Sequence, residues 1–163
     1  MVEEKNLIEG QRILIVDDEP DVLEALEELL PMCDLTKAAT FEEGKEYLET
    51  QEFDLAILDI MGVDGYGLLQ IARAKGVIPI MLTAHALSPE HTAKSYKEGA
   101  ASYIPKEEMA NIQVLLNDIL EAKERGKNFW WRWLERLGPF YERTFGPDWQ
   151  KKDKDFWKKF TYI

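Results

Sequence analysis

The sequence predicts an α/β domain, a doubly wound five-stranded parallel sheet, followed by a C-terminal helical extension. Four short apolar runs carry most of that expectation: Ile13-Leu14-Ile15-Val16, Leu55-Ala56-Ile57-Leu58, Ile80-Met81-Leu82 and Ala101-Ser102-Tyr103-Ile104. Their length and continuity suit strands buried on both faces. Segments of helical periodicity separate them, the alternation of a parallel sheet with helices on both sides. Each run also ends at or near a polar residue: Asp17-Asp18, Asp59, Thr83 and Lys106 in turn.

Element by element, Pro20 fits the first turn of a helix, with Glu19 and Asp21 near its positive end. Val22, Leu26, Leu29 and Leu30 then repeat at helical spacing. Residues 35–39 read as a weak short strand. Thr40 with Glu43 forms a capping-box pattern that opens a second helix through Leu48. The third strand covers residues 54–58, and a helix over 65–74 carries Leu68, Leu69, Ile71 and Ala72. The fourth strand covers 78–82 with Pro79 near its start, since proline removes a ladder donor. Ser88-Pro89-Glu90 opens a fourth helix to about Lys97. Its apolar residues are chiefly Ala93 and Tyr96, so it is expected to be weakly held and movable. After the fifth strand, Met109, Ile112, Leu116 and Ile119 share one face of a long helix. Strand order 2-1-3-4-5, as in flavodoxin-like sheets, sets strands one and three side by side at the switch point. Asp17, Asp18 and Asp59 then become neighbours.

The chain of 163 residues has room for one well-cored domain and an extension. At 45% hydrophobic and 31% charged it has the composition of a soluble globular protein. No stretch reaches bilayer-spanning length, and the acidic N-terminus carries no signal-peptide pattern, so the cytoplasm is the expected compartment. Cys33 reads as a small core filler. The net charge of −11 is unevenly shared. Residues 126–163 hold nine Lys/Arg and five Asp/Glu, a net of +4, while the rest carries −15. That segment also holds 12 of the 18 aromatics and all five Trp, which marks a boundary near Gly126. The expected organisation is a flexible segment over 1–10, a main domain over 11–125 and an aromatic, helical extension over 126–163. An acidic main body argues against DNA as a partner.

Three carboxylates at one sheet edge repel, so the site calls for a counter-charge. Mg²⁺ is the cation whose oxygen shell fits one or two carboxylates plus phosphate and water. Asp18 and Asp59 are the first choices as ligands, with Asp17 positioning water. A carboxylate can also attack a phosphoryl group to give an acyl phosphate. Lys106 would set a charge on one phosphoryl oxygen and Thr83 a hydrogen bond on another, while small Ala84 leaves room for the donor. His85 at the rim reads first as an exposed loop residue, and as a modulator of the phosphoryl group second.

Residues 12–125 resemble the receiver domain of two-component response regulators. The motifs are Ile15-Val16-Asp17-Asp18-Glu19-Pro20, Leu58-Asp59-Ile60-Met61 with Asp64-Gly65, Met81-Leu82-Thr83-Ala84, and Gly99-Ala100-Ala101-Ser102-Tyr103 ahead of Lys106. The resemblance implies Asp59 as phosphoacceptor from a sensor histidine kinase. It implies Mg²⁺ at Asp17, Asp18, Asp59 and the Met61 carbonyl, and a switch formed by Thr83 and Tyr103. It also implies a protein that catalyses only its own phosphorylation and dephosphorylation. The Met61 side chain would shield the acyl phosphate from water. Two departures stand out. The loop from Asp59 to Asp64 is two residues short, and Lys106 is followed by Glu107 where the family has proline, so a trans bond is expected there.

In the extension, Trp130, Trp133, Leu134 and Leu137 lie at helical spacing before Gly138-Pro139, which should stop the helix. A second short helix is expected over 149–160. So much aromatic surface must be buried, either on its own main domain or against a partner or second copy. Expected partners are a histidine kinase and a downstream protein. A homodimer would form through the extension or through the face made by the fourth helix, fifth strand and fifth helix. Membrane-surface binding is disfavoured. The alternative reading is an interaction or dimerisation module in which phosphorylation is weak and the extension carries the signal. A small phosphate hydrolase ranks third, since no separate general acid or substrate pocket is evident.

Overall fold

The computed structural model describes residues 6–84 and 89–158. Five parallel strands, β1 (Arg12–Val16), β2 (Asp34–Ala38), β3 (Leu55–Asp59), β4 (Ile78–Thr83) and β5 (Ser102–Pro105), lie in the order β2-β1-β3-β4-β5. The helices between them are α1 (Pro20–Leu29), α2 (Phe41–Thr50), α3 (Gly65–Ala74) and α4 (Pro89–Lys97), and α5 (Ile112–Arg125) follows β5 through a 3₁₀ turn at Lys106–Asn111. The expected sheet order is the one observed.

Every residue of β3, β4 and β5 is buried, as the unbroken apolar runs require of strands covered on both faces. Pairing of Val16 with Leu58, and of Asp59 with Leu82, aligns the carboxyl ends of the three central strands. Pro79 sits second in β4, opposite Ala56, and its carbonyl accepts from the Ala101 amide at 2.7 Å. Thr40 caps α2 by accepting from the Glu43 amide at 3.1 Å.

Three expectations are corrected. Residues 6–10 belong to the packed domain rather than to a flexible segment: Ile8 is buried, the Leu7 amide donates to Asn117, and the Gly10 amide donates to the Met32 carbonyl. Met109 lies in the 3₁₀ turn, so α5 starts three residues after it. In the extension, α6 (Trp133–Phe145) runs through Gly138-Pro139 instead of stopping there. Proline removes one backbone donor and crowds the residue before it. Here that residue is glycine, with no Cβ to clash. Trp133, Leu137 and Tyr141 then bury one continuous face, which outweighs a loss of about 3 kcal/mol. A 3₁₀ turn at Lys151–Asp153 leads into α7 (Lys154–Lys158), inside the span expected for the last helix.

The extension packs on its own domain. Trp130, Trp133, Tyr141, Trp149, Phe156 and Trp157 join the main hydrophobic core, with ring centroids 4.8–5.8 Å apart in edge, tilted and stacked pairs. Trp130 is 2% exposed and its indole N–H donates to the Ala100 carbonyl at 2.7 Å. Trp130→Ala is therefore expected to lower unfolding free energy by about 3–5 kcal/mol. Urea denaturation checks this, and a loss below about 1 kcal/mol would mean that the extension adds little to the fold.

Candidate functional site

The site forms where β1, β3 and β4 end. β1 delivers Asp17, which is fully buried, and the chain turns at once so that Asp18 and Glu19 face solvent. The Glu19 amide donates to Asp17 Oδ1 at 2.9 Å, which fixes that carboxylate across the start of α1. Asp59 is the last residue of β3 and is 5% exposed, and Thr83 ends β4 at 2%. Lys106 follows β5 directly and reaches back across the sheet edge. Its Nζ lies 2.8 Å from Asp17 Oδ2, 3.2 Å from Glu19 Oε1 and 3.7 Å from Asp59 Oδ1. No described peptide bond is cis, so Lys106 reaches these acids through a trans bond to Glu107.

The short loop after β3 closes over the acids by means of two glycines. Gly62 has φ +80°, and a Cβ there would stand 2.6 Å from Asp18 Oδ2. Gly65 packs against the end of β3, where a Cβ would meet the Asp59 carbonyl oxygen at 2.2 Å. At Gly65 the close atom is backbone and only glycine fits, while at Gly62 the positive φ favours glycine. Asp64 takes the left-handed region at φ 49° and caps α3 by accepting from the Gly67 amide at 3.2 Å. The Asp64-Gly65 pair thus sets the loop's return.

Asp18, Glu19, Asp59, Met61, Gly62, Thr83 and Ala84 line a cavity of about 210 Å³. Asp17, Asp18 and Glu19 offer carboxylate oxygens within 4.8 Å of one another. Hard oxygen donors gathered so closely, with a further carboxylate in the same cavity, fit a divalent cation such as Mg²⁺. Glu19 is the member that the sequence reading left out. In the sequence it reads as a helix-end charge, and its place beside Asp17-Asp18 is the available signal. The Met61 side chain is 65% exposed at the cavity rim. Tyr103 is buried in β5. His85 lies outside the described residues.

The electrostatics follow from burial. Asp59 is pushed up to about 7, first by burial and then by the charge on Asp17, with Asp18 and Glu19 adding and Lys106 opposing. Burial alone would lower the Lys106 ammonium, but the carboxylates of Asp17, Asp59 and Glu19 outweigh it and raise it. A pKa raised on folding means that the folded state holds the Asp59 proton more tightly than the unfolded chain does. This contribution to stability is full below about pH 3.8 and is lost as pH rises through about 7. In metal-free buffer, Asp59→Asn should remove that loss and raise the melting midpoint at pH 8 by a few degrees. Thermal unfolding of both proteins at pH 5 and pH 8 checks it; an equal midpoint difference at the two pH values would contradict it.

Comparison with known proteins identifies the family and the fold. Residues 13–119 match the family model described as the response regulator receiver domain. A two-component response regulator of Arabidopsis thaliana, ARR12, is 34% identical over 131 residues, 73% of this chain and 22% of its own length. The transcriptional activator protein PfeR of Pseudomonas aeruginosa is 31% identical over 103 residues, 61% of this chain and 34% of its own. The chain thus spans about a third or less of either relative's length. Among solved structures, a CheY-like response regulator receiver domain protein from Methanospirillum hungatei superposes with a TM-score of 0.60 at 34% identity, covering 71% of this chain and 95% of that one. The receiver domain of the Francisella response regulator 1452 shares the fold at a TM-score of 0.57 and 24% identity, over 66% and 97%. None of the described helices is long and apolar enough to cross a membrane. With the sheet order, the acid cluster and the family match in agreement, the chain belongs to the receiver domains of two-component response regulators.

Proposed function

We propose that this receiver takes a phosphoryl group on Asp59 from the phosphohistidine of a sensor histidine kinase and thereby changes its protein-binding surface. The observation that carries this reading is the convergence of Asp59, Thr83 and the acid cluster on one small cavity, with Lys106 bridging Asp17 and Asp59.

In the transfer, an Asp59 carboxylate oxygen attacks phosphorus. The O–P bond forms as the P–N bond to imidazole breaks, and the imidazole leaves with the electron pair. Asp17, Asp18, Asp59 and the Met61 carbonyl would hold Mg²⁺, with Glu19 as an additional carboxylate. Mg²⁺ supplies the counter-charge that favours ionised Asp59 and offsets the phosphoryl oxygens. Lys106, already 3.7 Å from Asp59, pairs with one phosphoryl oxygen. Thr83, which lines the same cavity, donates its hydroxyl to another, and Ala84 beside it leaves the approach open. Burial of Asp17 and Asp59 keeps these charges out of bulk water, so each contact is worth more than it would be there. Thr83 and Tyr103 carry the change outward to the surface that a downstream protein reads.

Incubation with Mg²⁺ and acetyl phosphate should give a single phosphoryl adduct by intact mass, absent with EDTA and in Asp59→Asn. Lys106→Ala should slow its formation roughly 10²-fold, the usual cost of one preorganised donor. An adduct that persists in Asp59→Asn would move the acceptor elsewhere, and no adduct from either acetyl phosphate or a kinase would overturn the reading.

A further inference from the structure

The extension carries a cleft of about 280 Å³ formed by the turn after α6 and by α7. Pro147, Asp148 and Gln150 of the turn line it, together with Lys151, Lys154, Trp157 and Lys158. The three lysines follow one another at spacings of three and four residues, which sets them on one helical face. The acids between them go elsewhere. Asp153 accepts from the Phe156 amide at 3.2 Å, and Asp155 does not line the cleft. Folding thus sorts a stretch of alternating charges into a basic wall. Trp157 is fixed by Trp133, Trp149 and Phe156, with ring centroids at 5.8, 4.8 and 4.8 Å. The layer is tied to the domain in turn. Trp133 Nε1 donates to the Tyr103 carbonyl at 3.0 Å, the Tyr141 and Thr92 hydroxyls share a hydrogen bond, and Arg136 pairs with Asp118 at 2.9 Å. The apolar part of the cleft is therefore preformed, as small-molecule sites usually are.

The charges in this cleft are unbalanced. Lys151 pairs with Asp148 at 3.1 Å, but Lys154 and Lys158 have no carboxylate partner among the described residues. Three ammoniums against one carboxylate leave a surplus of two positive charges. Two cavities at the amino ends of the strands differ, since Arg12 and Lys75 share their linings with Asp34, Glu49, Glu52 and Asp54. The cavity at Asp59 is acidic. An anion is therefore drawn to the extension rather than to the domain. A phosphomonoester carries about −1.5 to −2 at neutral pH, which matches the surplus better than one carboxylate does. Lysine, a compact point charge, suits phosphate. A bare phosphate would leave most of the cleft unfilled. Pro147, Trp157 and the lysine stems offer apolar contact to the body that carries it.

We infer that this cleft is a binding site for a phosphomonoester on a flat apolar body, about the size of a mononucleotide. Lys154 and Lys158 hold the phosphate, Lys151 adds its charge, and Pro147 and Trp157 contact the body. The site lies outside residues 13–119, which match the receiver family, and uses neither Asp59 nor the acid cluster. Trp157 belongs to the core that the extension shares with its domain. A ligand that binds only this folded arrangement therefore stabilises it by mass action.

Titration of the full, isotope-labelled chain with adenosine monophosphate in EDTA buffer, followed by NMR, tests it. EDTA keeps divalent cations off the acid cluster, which then repels phosphate. Amides of residues 147–158 and the Trp157 indole N–H should shift saturably, with half-saturation below about 1 mM. Adenosine and inorganic phosphate should each bind roughly tenfold more weakly or worse. The double substitution Lys154→Gln, Lys158→Gln should weaken nucleotide binding roughly tenfold or more. Its melting midpoint without ligand should match the parent's, since both side chains are exposed and unpaired. The site is overturned by no saturable shift up to about 10 mM, by shifts centred on Arg12 and Lys75, or by undiminished binding in the lysine variant. Inorganic phosphate that binds as tightly as the nucleotide overturns the flat apolar body.

Discussion

Asp17 and Asp59 are two carboxylates at the ends of adjacent strands, both buried, and Lys106 is the cation that reaches both. Most of the site follows from that charge balance. With one ammonium against two buried acids and two more at the rim, the cluster remains net negative, and Asp59 responds by holding its proton up to about 7. A site in this condition gains from a divalent cation at its acids and from donors aimed at a group on Asp59. The sheet order creates the imbalance, since it sets β1 beside β3 and brings residues from distant parts of the chain into one pocket.

The short loop after β3 bears on the same balance. The chain passes close over Asp18, and Gly62 allows that path at a positive φ. Gly65 performs the matching service at the Asp59 carbonyl. Met61 lines the same cavity as Asp59 and leaves most of its side chain exposed.

Much of this was legible in the chain. Parallel strands buried on both faces must be continuous apolar runs, and that signal located β1, β3, β4 and β5 and the polar residue at the end of each. Local rules also placed the start of α1 at Pro20 and the cap of α2 at Thr40. They failed where burial overrode them. Gly138-Pro139 carries a strong stop signal, yet α6 continues because its aromatic face is fixed by the domain beneath it. Residues 6–10 look like a polar terminus, yet Ile8 finds a core position. The resting place of the extension was illegible for a related reason. Aromatic content says that a surface must be covered, while the choice of face depends on where Thr92, Asp118 and the Tyr103 carbonyl come together in three dimensions.

Burial and the neighbouring acids push the Asp59 carboxyl up to about 7, and a cation joining the cluster would favour its ionised form. A carboxyl-carbon NMR titration of Asp59, run in metal-free buffer and again in Mg²⁺, measures this directly. The expected metal-free midpoint is about 7, falling well below neutrality when Mg²⁺ is added. A midpoint near the ordinary 3.8, or one that Mg²⁺ leaves unmoved, would contradict it.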